Sequence, residues 1–257
     1  DFFVLKTDNL GGRSKENMIF KFKQFSVKQA QSAMKIGTDG VLLGAWTPIE
    51  NPKSILDIGA GTGLLSLMLA QRSDAVVIDA VEIDEKAYIE CTENFEESQW
   101  GDRLFCYHAS FQEFALEIDE VYDLIISNPP FYTADYKTAE KARNTARFTD
   151  TLSFSELLEG VSQLLSDEGV FSVILPYSET EGFIALASGH GLFPQKITHT
   201  RGNATAELKR SMLLLSRKEL SSYPIDVLII EKERGVYTEA YKSLTKDFYL
   251  NLGNEVG

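Results

Sequence analysis

Two short stretches of this chain carry residue types whose spacing suits chemistry. In residues 54–63, SILDIGAGTG, an apolar strand passes through Asp57 and runs into Gly59, Gly61 and Gly63. Glycine lets a backbone turn tightly and approach a ligand closely. The apolar run at 64–71 reads as a helix, whose first N–H groups are left over for a partner. The spacing is Asp57-x-Gly59-x-Gly61-x-Gly63. A dinucleotide fingerprint needs Gly or Ala where this chain has Leu64, and a phosphate P-loop needs a lysine that the stretch lacks. Glu82 ends the next apolar run, about 20 residues after the glycines. In a doubly wound sheet an acid there accepts hydrogens from ribose hydroxyls. The plainer alternative is a surface acid opening the helix expected at 84–97.

The second stretch, residues 123–132, is DLIISNPPFY. Alone, Asn128-Pro129-Pro130-Phe131 is a proline-stiffened turn. Position changes its meaning, because the carboxyl ends of the first and fourth strands of such a sheet meet at the switch point. There the Asn128 side-chain oxygen and the Pro129 carbonyl are two acceptors for the hydrogens of an exocyclic amine. An amine such as adenine N6 is a poor nucleophile because its lone pair is delocalised into the ring. Two acceptors draw that pair back and strengthen as the nitrogen becomes positive. Phe131, with Tyr132, offers a ring face for an extruded base. Neither a Ser/His/Asp set nor a carboxylate pair has comparable support. His108, His190 and His199 are scattered, and Cys91 and Cys106 have no CxxC spacing, so no metal is expected.

The elements that must position these residues follow from the apolar pattern. Strands are expected at 54–58, 75–81, 103–107, 121–126, 169–175, 193–200 and 209–216, with a last one near 227–230. Helices are expected at 64–71, 84–97, 154–165, 179–187 and 238–248. The alternation gives an α/β, doubly wound, seven-stranded, mostly parallel sheet with one antiparallel strand. Ahead of it, 18–27 has the half-buried pattern of a strand or hairpin, with Lys21 and Lys23 on one face. Gly37 and Gly40 bracket Thr38-Asp39 as a turn with a helix cap, before a short apolar helix at 41–46. The expected division is a tail at 1–16, an N-terminal extension at 17–52 and the core at 53–257.

Residues 135–150 hold Lys137, Lys141, Arg143 and Arg147 with few apolar residues. They read as a basic loop over the site, either a solvated charge run or a contact to an RNA backbone. Yet the 257 residues carry a net charge of −13 and a pI near 4.8. That argues against charge-driven nucleic-acid binding, so any RNA surface must be local. No apolar run reaches membrane-spanning length and no signal-peptide pattern is seen, so a cytoplasmic protein with reduced cysteines is expected.

Three pieces together resemble one family, the bacterial adenine-N6 methyltransferases that act on valine tRNA beside its anticodon. They are AMKIGTDGVLLGAW at 33–46, LDIGAGTGLL at 56–65, and NPPFY at 128–132 with Ala142-Arg143 or Ala146-Arg147 downstream. The last two mark the class I S-adenosylmethionine-dependent superfamily and its amine-modifying branch, and the first is specific to the family. The resemblance spans about 20–230. It implies a Rossmann-like fold, S-adenosylmethionine as cofactor and tRNA as partner. By resemblance, Asn128, Pro129, Pro130 and Phe131 serve catalysis. Asp57, Gly59, Gly61, Gly63, Glu82, Ser110 and Asn128 hold the cofactor, with Lys35, Gly37 and Thr38 nearby. Asp39, Tyr132, Arg143 and Arg147 meet the substrate. The motif is shared with enzymes that methylate guanine N2 in ribosomal RNA, and a near variant, Asn-Pro-Pro-Tyr, with those that methylate a glutamine of release factors. A binding module on the same fold is the non-enzymatic alternative, opposed by the presence of Asp57, Glu82 and Asn128.

Overall fold

The computed structural model describes residues 18–32, 35–130 and 152–251. A small antiparallel hairpin, β1 (Ile19–Lys21) and β2 (Ser26–Lys28), comes first, then α1 (Thr38–Trp46). The alternating part runs β3 (Ser54–Ile58), α2 (Leu64–Arg72), β4 (Val77–Glu82), α3 (Glu85–Glu96), β5 (Leu104–His108), α4 (Phe111–Glu117) and β6 (Tyr122–Ser127). It continues with α5 (Phe154–Leu164), β7 (Leu165–Pro176), α6 (Thr180–Gly189), β8 (Phe193–Arg201), β9 (Arg210–Ser216) and β10 (Ile225–Ile229). A second hairpin, β11 (Glu231–Glu233) and β12 (Val236–Tyr237), and helix α7 (Glu239–Thr245) close the chain.

The main sheet has eight strands in the order β10-β8-β9-β7-β6-β3-β4-β5. Its neighbours pair in parallel except around β9, which is antiparallel to both β7 and β8. The expected single antiparallel strand is therefore present. The sheet has eight strands where seven are expected: the last expected strand, near 227–230, is β10, and it joins this sheet in parallel beside β8 at the edge.

Parallel strands covered on both faces read as unbroken apolar runs. Along β3, Ile55 points into one buried cluster while Leu56 and Ile58 point into the other. The first cluster joins α1, α2 and α3 to the sheet, and the second is made with α4, α5 and α6. Residues 18–52 have no core of their own: Phe22, Phe25, Val27, Val41 and Leu43 lie in the same cluster as Ile55, Leu67 and Phe95. No helix among the described residues is long and apolar enough to cross a membrane.

The segment 37–40 differs from its expectation. Helix α1 starts at Thr38, not Val41, with Gly37 extended before it and no side-chain cap. Gly40 is not a turn residue but lies inside the helix. A Cβ there would stand 3.0 Å from Leu64 Cδ2, and one at Gly44 would stand 2.7 Å from Met68 Sδ. Both glycines let α1 press onto α2, a packing demand that a turn-based reading of Gly-x-x-Gly misses.

Candidate active site

The strand order reverses at β3, which has β4 on one side and β6 on the other. The carboxyl ends of these strands frame the crevice where open α/β sheets bind ligands. Ile58 pairs with Ser127 in register, and the Ser127 hydroxyl donates to the Ile58 carbonyl at 2.9 Å. The residues that follow, Gly59 and Asn128, thus leave the sheet side by side. The N–H groups of Gly59 and Ala60 both donate to the Val81 carbonyl, at 2.9 and 3.1 Å. Glu82 ends β4, only 8% exposed. Its carboxylate accepts from the Gly61 N–H and from the Asp84 N–H, both at 2.8 Å. One carboxylate therefore holds the glycine loop and the N-cap residue of α3, and two of its four lone-pair positions remain for a ligand.

Gly59, Gly61 and Gly63 all have positive φ, at 72, 58 and 79°. Their surroundings differ. A Cβ on Gly59 or Gly61 would meet nothing within 4 Å, so their backbone borders open space. A Cβ on Gly63 would lie 2.5 Å from Phe95 Cε1 and 2.9 Å from Cys91 Sγ. Gly63 lets the loop close against α3; the other two leave room on the crevice side.

Asp57 is fully buried in β3. Its Oδ2 accepts from the Ser66 hydroxyl at 2.8 Å and the Ser66 N–H at 3.1 Å, while Oδ1 has no protein partner. Burial raises its pKa to about 7, against the lowering effect of Ser66, and the nearby Glu82 charge adds to the rise. A buried acceptor without a donor is costly, and a cationic ligand group would relieve it.

Asn128 is half-buried and Pro129 buried. A Cβ on Gly40 would stand 3.9 Å from the Asn128 amide nitrogen, so the start of α1 forms the wall beside Asn128. The segment leading into α1 is tied down from α3. The Glu90 carboxylate accepts from the backbone N–H groups of Ala30 at 2.5 Å, Gln31 at 3.0 Å and Ser32 at 2.9 Å. The Asn94 side chain accepts from the Lys28 N–H and donates to the carbonyls of Lys28 and Thr62, which reaches the glycine loop.

The structure brings Gly59, Gly61, Glu82 and Asn128 to one rim, with Asp57 buried in β3 just before the loop and Gly37 and Thr38 at the start of the adjoining helix. Three other expected site residues are otherwise engaged. The Lys35 ammonium donates to the carbonyls of Gln29, Ala30 and Ser32 and so closes the preceding loop. Asp39 accepts from Arg210 Nε at 2.7 Å, linking α1 to β9. Ser110 stands two residues beyond β5, but its hydroxyl and its N–H both go to Glu113 in a capping box at the head of α4. These bonds hold the Glu113 carboxyl below its usual range. Phe131, Tyr132, Arg143 and Arg147 lie outside the described residues. Sequence reasoning missed Ser66, Ser127, Glu90 and Asn94. The available signal was polarity at buried positions: Ser66 within LLSLMLA, and Glu90 and Asn94 on the stripe that also carries Ala87, Cys91 and Phe95.

The family model described as "Methyltransferase small domain" matches residues 30–151. A tRNA1(Val) (adenine(37)-N6)-methyltransferase of Flavobacterium psychrophilum is 57% identical over 91% of this chain and all of its own length. Proteins of the same name from Bacteroides fragilis and Photorhabdus laumondii are 44% and 42% identical, covering 91% and 90% of this chain and 98% and 95% of theirs. Among solved structures, one described as a predicted O-methyltransferase from Agrobacterium tumefaciens superposes with a TM-score of 0.63 at 18% identity, over 82% of this chain and 96% of that one. The ribosomal protein L11 methylase of Lactobacillus delbrueckii gives 0.54 at 15% identity, over 75% and 84%. At these identities the structures speak to the fold alone.

Proposed function

The chain belongs to the family of tRNA1(Val) (adenine(37)-N6)-methyltransferases, and from that premise we propose that it transfers a methyl group from S-adenosylmethionine to the N6 amine of an adenine beside the anticodon of valine tRNA. It acts in the cytoplasm, where that substrate is found.

The residues at the rim fit the methyl donor. Gly59 and Gly61 border open space, Glu82 keeps lone pairs for ribose hydroxyls, and Asp57 Oδ1 is a buried acceptor without a donor. These four would hold it, with Gly63 shaping the loop and Gly37 and Thr38 in the adjoining wall. When bound, S-adenosylmethionine supplies an electrophilic methyl group on a positively charged sulfur. The anionic Glu82 beside the crevice favours that positive charge.

Asn128 and Pro129 do the rest of the electronic work. The Asn128 side-chain oxygen and the Pro129 carbonyl accept the two N6 hydrogens and concentrate the nitrogen lone pair toward the incoming carbon. Both bonds strengthen as the nitrogen turns positive, which is stabilisation of the transition state over the ground state. No general base is required during transfer, because the proton leaves afterwards. Pro129 and Pro130 fix the backbone that carries the acceptors, and Phe131 and Tyr132 supply the aromatic surface for the extruded base.

The observation that carries this reading is the emergence of Asn128-Pro129 beside the open side of the Gly59–Gly61 turn, locked by the Ser127–Ile58 bond. The test is transfer of tritiated methyl to total tRNA, ribosomal RNA and release factor in parallel, with nucleoside analysis. Label in N6-methyladenosine of tRNA is expected. Label only in guanine or in protein keeps the amine chemistry and removes the substrate assignment.

A further inference from the structure

Beyond the crevice, the same rim continues across β7, β9 and β8. Tyr177 follows the carboxyl end of β7, Lys209 and Arg210 lead into β9, and Arg201 ends β8. The three are stitched together by backbone bonds: Tyr177 N–H to the Lys209 carbonyl at 3.0 Å and Lys209 N–H to the Thr200 carbonyl at 2.8 Å. Adjacent strands are about 4.8 Å apart, so the strip extends roughly 14 Å from Asn128 on β6.

Its chemistry is unusual for this chain. Residues 196–218 hold six cations, Lys196, Arg201, Lys209, Arg210, Arg217 and Lys218, against one acid, Glu207, in a chain of net charge −13. Three of the six are neutralised in place: Lys196 by Asp226, Arg210 by Asp39 and Arg217 by Asp167. Among the described residues Arg201 and Lys209 form no ion pair. Lys209 is exposed, and Arg201 Nε is buried without a partner.

Between the crevice and these cations stands an aromatic ring with a built support. Tyr177 is 43% exposed and meets His199 edge-on, with centroids 4.9 Å apart. Thr180 donates to Ser211 Oγ at 2.7 Å, and Ser211 bonds His199 Nδ1 at 2.8 Å. Burial holds the His199 pKa below its usual range, so at neutral pH the ring is an uncharged prop and not a competing cation. Exposed aromatics interleaved with free cations suit a nucleic-acid strand, with bases stacking and phosphates paired.

We propose that Tyr177, Arg201 and Lys209 form an RNA-docking strip that receives the strand flanking the target adenine. The proposal rests on the tRNA reading above and assigns a surface to it. Two free cations neutralise few phosphates, so the salt dependence they contribute is shallow: a slope of about −1.4 in log affinity against log salt for a single strand.

The experiment measures tRNA affinity by fluorescence anisotropy at several salt concentrations. It compares the wild-type chain with Lys209→Glu, Arg201→Gln, Tyr177→Ala and a control, Lys218→Glu, at the far end of β9. Cofactor affinity and melting temperature are read alongside. Lys209→Glu is expected to weaken tRNA binding about 10-fold, and it and Arg201→Gln should each flatten the salt slope by about 0.7. Tyr177→Ala should weaken binding on the order of 10-fold with the slope unchanged. Cofactor affinity should hold in both, and Lys218→Glu should bind like wild type. If Lys209→Glu and Tyr177→Ala bind tRNA as tightly as wild type, or Lys218→Glu weakens it equally, the strip is not the docking surface. Methyl transfer by the wild-type chain is scored separately: its absence from tRNA overturns the substrate assignment, whereas binding that is equal across the variants overturns only the strip.

Discussion

The glycine loop allows one prediction to be worked through, because its three glycines share a backbone conformation and differ in what surrounds them. Each sits at positive φ, so replacement by alanine costs roughly 1–2 kcal/mol in backbone strain. At Gly59 and Gly61 that is nearly the whole structural cost, since a Cβ would meet nothing within 4 Å. For a chain of this size the melting temperature should fall by about 3–6 °C. At Gly63 the methyl group would stand 2.5 Å from Phe95 Cε1 and 2.9 Å from Cys91 Sγ, and both side chains are buried, so something must shift. Overpacking adds roughly 1–3 kcal/mol, for a total near 2–5 kcal/mol and a fall on the order of 10 °C.

Function should rank the three differently. A methyl group on Gly59 or Gly61 enters the space where the cofactor backbone contact is proposed, so S-adenosylmethionine affinity should drop at least 10-fold. The ligand-induced rise in melting temperature should vanish with it. Gly63→Ala, studied well below its melting temperature, should retain more of that affinity. Calorimetric melting with and without cofactor, plus titration calorimetry, reads both quantities. The reasoning is refuted if Gly63→Ala melts with Gly59→Ala, or if Gly59→Ala and Gly61→Ala bind the cofactor like wild type.

Asn128→Ala should retain cofactor binding, since Glu82 and the glycine loop remain, and lower kcat by about 10²–10³-fold, the usual cost of losing a group that acts on transition-state charge; unchanged kcat would remove Asn128 from the mechanism. Asp57 should leave a pH signature in stability. Its carboxyl titrates near 7 when folded and near 3.8 when free, so its contribution is fully present below pH 4 and is lost as pH rises to about 7. Some 3 pH units at about 1.4 kcal/mol each give roughly 4 kcal/mol as an upper bound. Denaturant melts of wild type and Asp57→Asn should therefore diverge in favour of Asn between pH 4 and 8, and a constant difference would contradict the assignment. Glu90→Gln keeps one acceptor oxygen for Ala30 and Gln31 but turns an amide NH₂ toward the Ser32 N–H, leaving at least one buried donor unpaired, and should cost about 1–3 kcal/mol in denaturant unfolding. A loss under 1 kcal/mol would show that the 30–32 segment is not held from α3.

What the sequence disclosed and what it hid follow from the range of the interactions involved. Strand and helix positions were legible because each element buries an apolar run whose period is local, and the crevice was legible because strand order fixes which carboxyl ends meet. The polar bonds of the site were not, since they join residues far apart in the chain: Glu90 to the 30–32 backbone, Asn94 to Thr62 and Asp39 to Arg210. Lys35 shows the same limit at short range. The family resemblance puts it near the cofactor, and nothing in the sequence foretells that three carbonyls of its own loop take up the ammonium. Ser110 is a case that local sequence did contain: Ser-x-x-Glu before an apolar turn is the pattern of a capping box, and its donors go to Glu113.

Gly40 joins the two kinds of information. Its sequence neighbourhood, Gly-Thr-Asp-Gly, suggests a turn, while its actual role depends on Leu64 and Asn128 arriving at the same place from elsewhere in the chain. A side chain there would crowd Leu64 at the head of α2, 3.0 Å from its Cβ, and would fill the space up to Asn128, 3.9 Å away. The segment specific to the family and the two motifs shared across the superfamily therefore meet at one small residue. On the proposed reading, α1 is then the wall beside Asn128, and a bulkier residue at position 40 would narrow the space left for a substrate base.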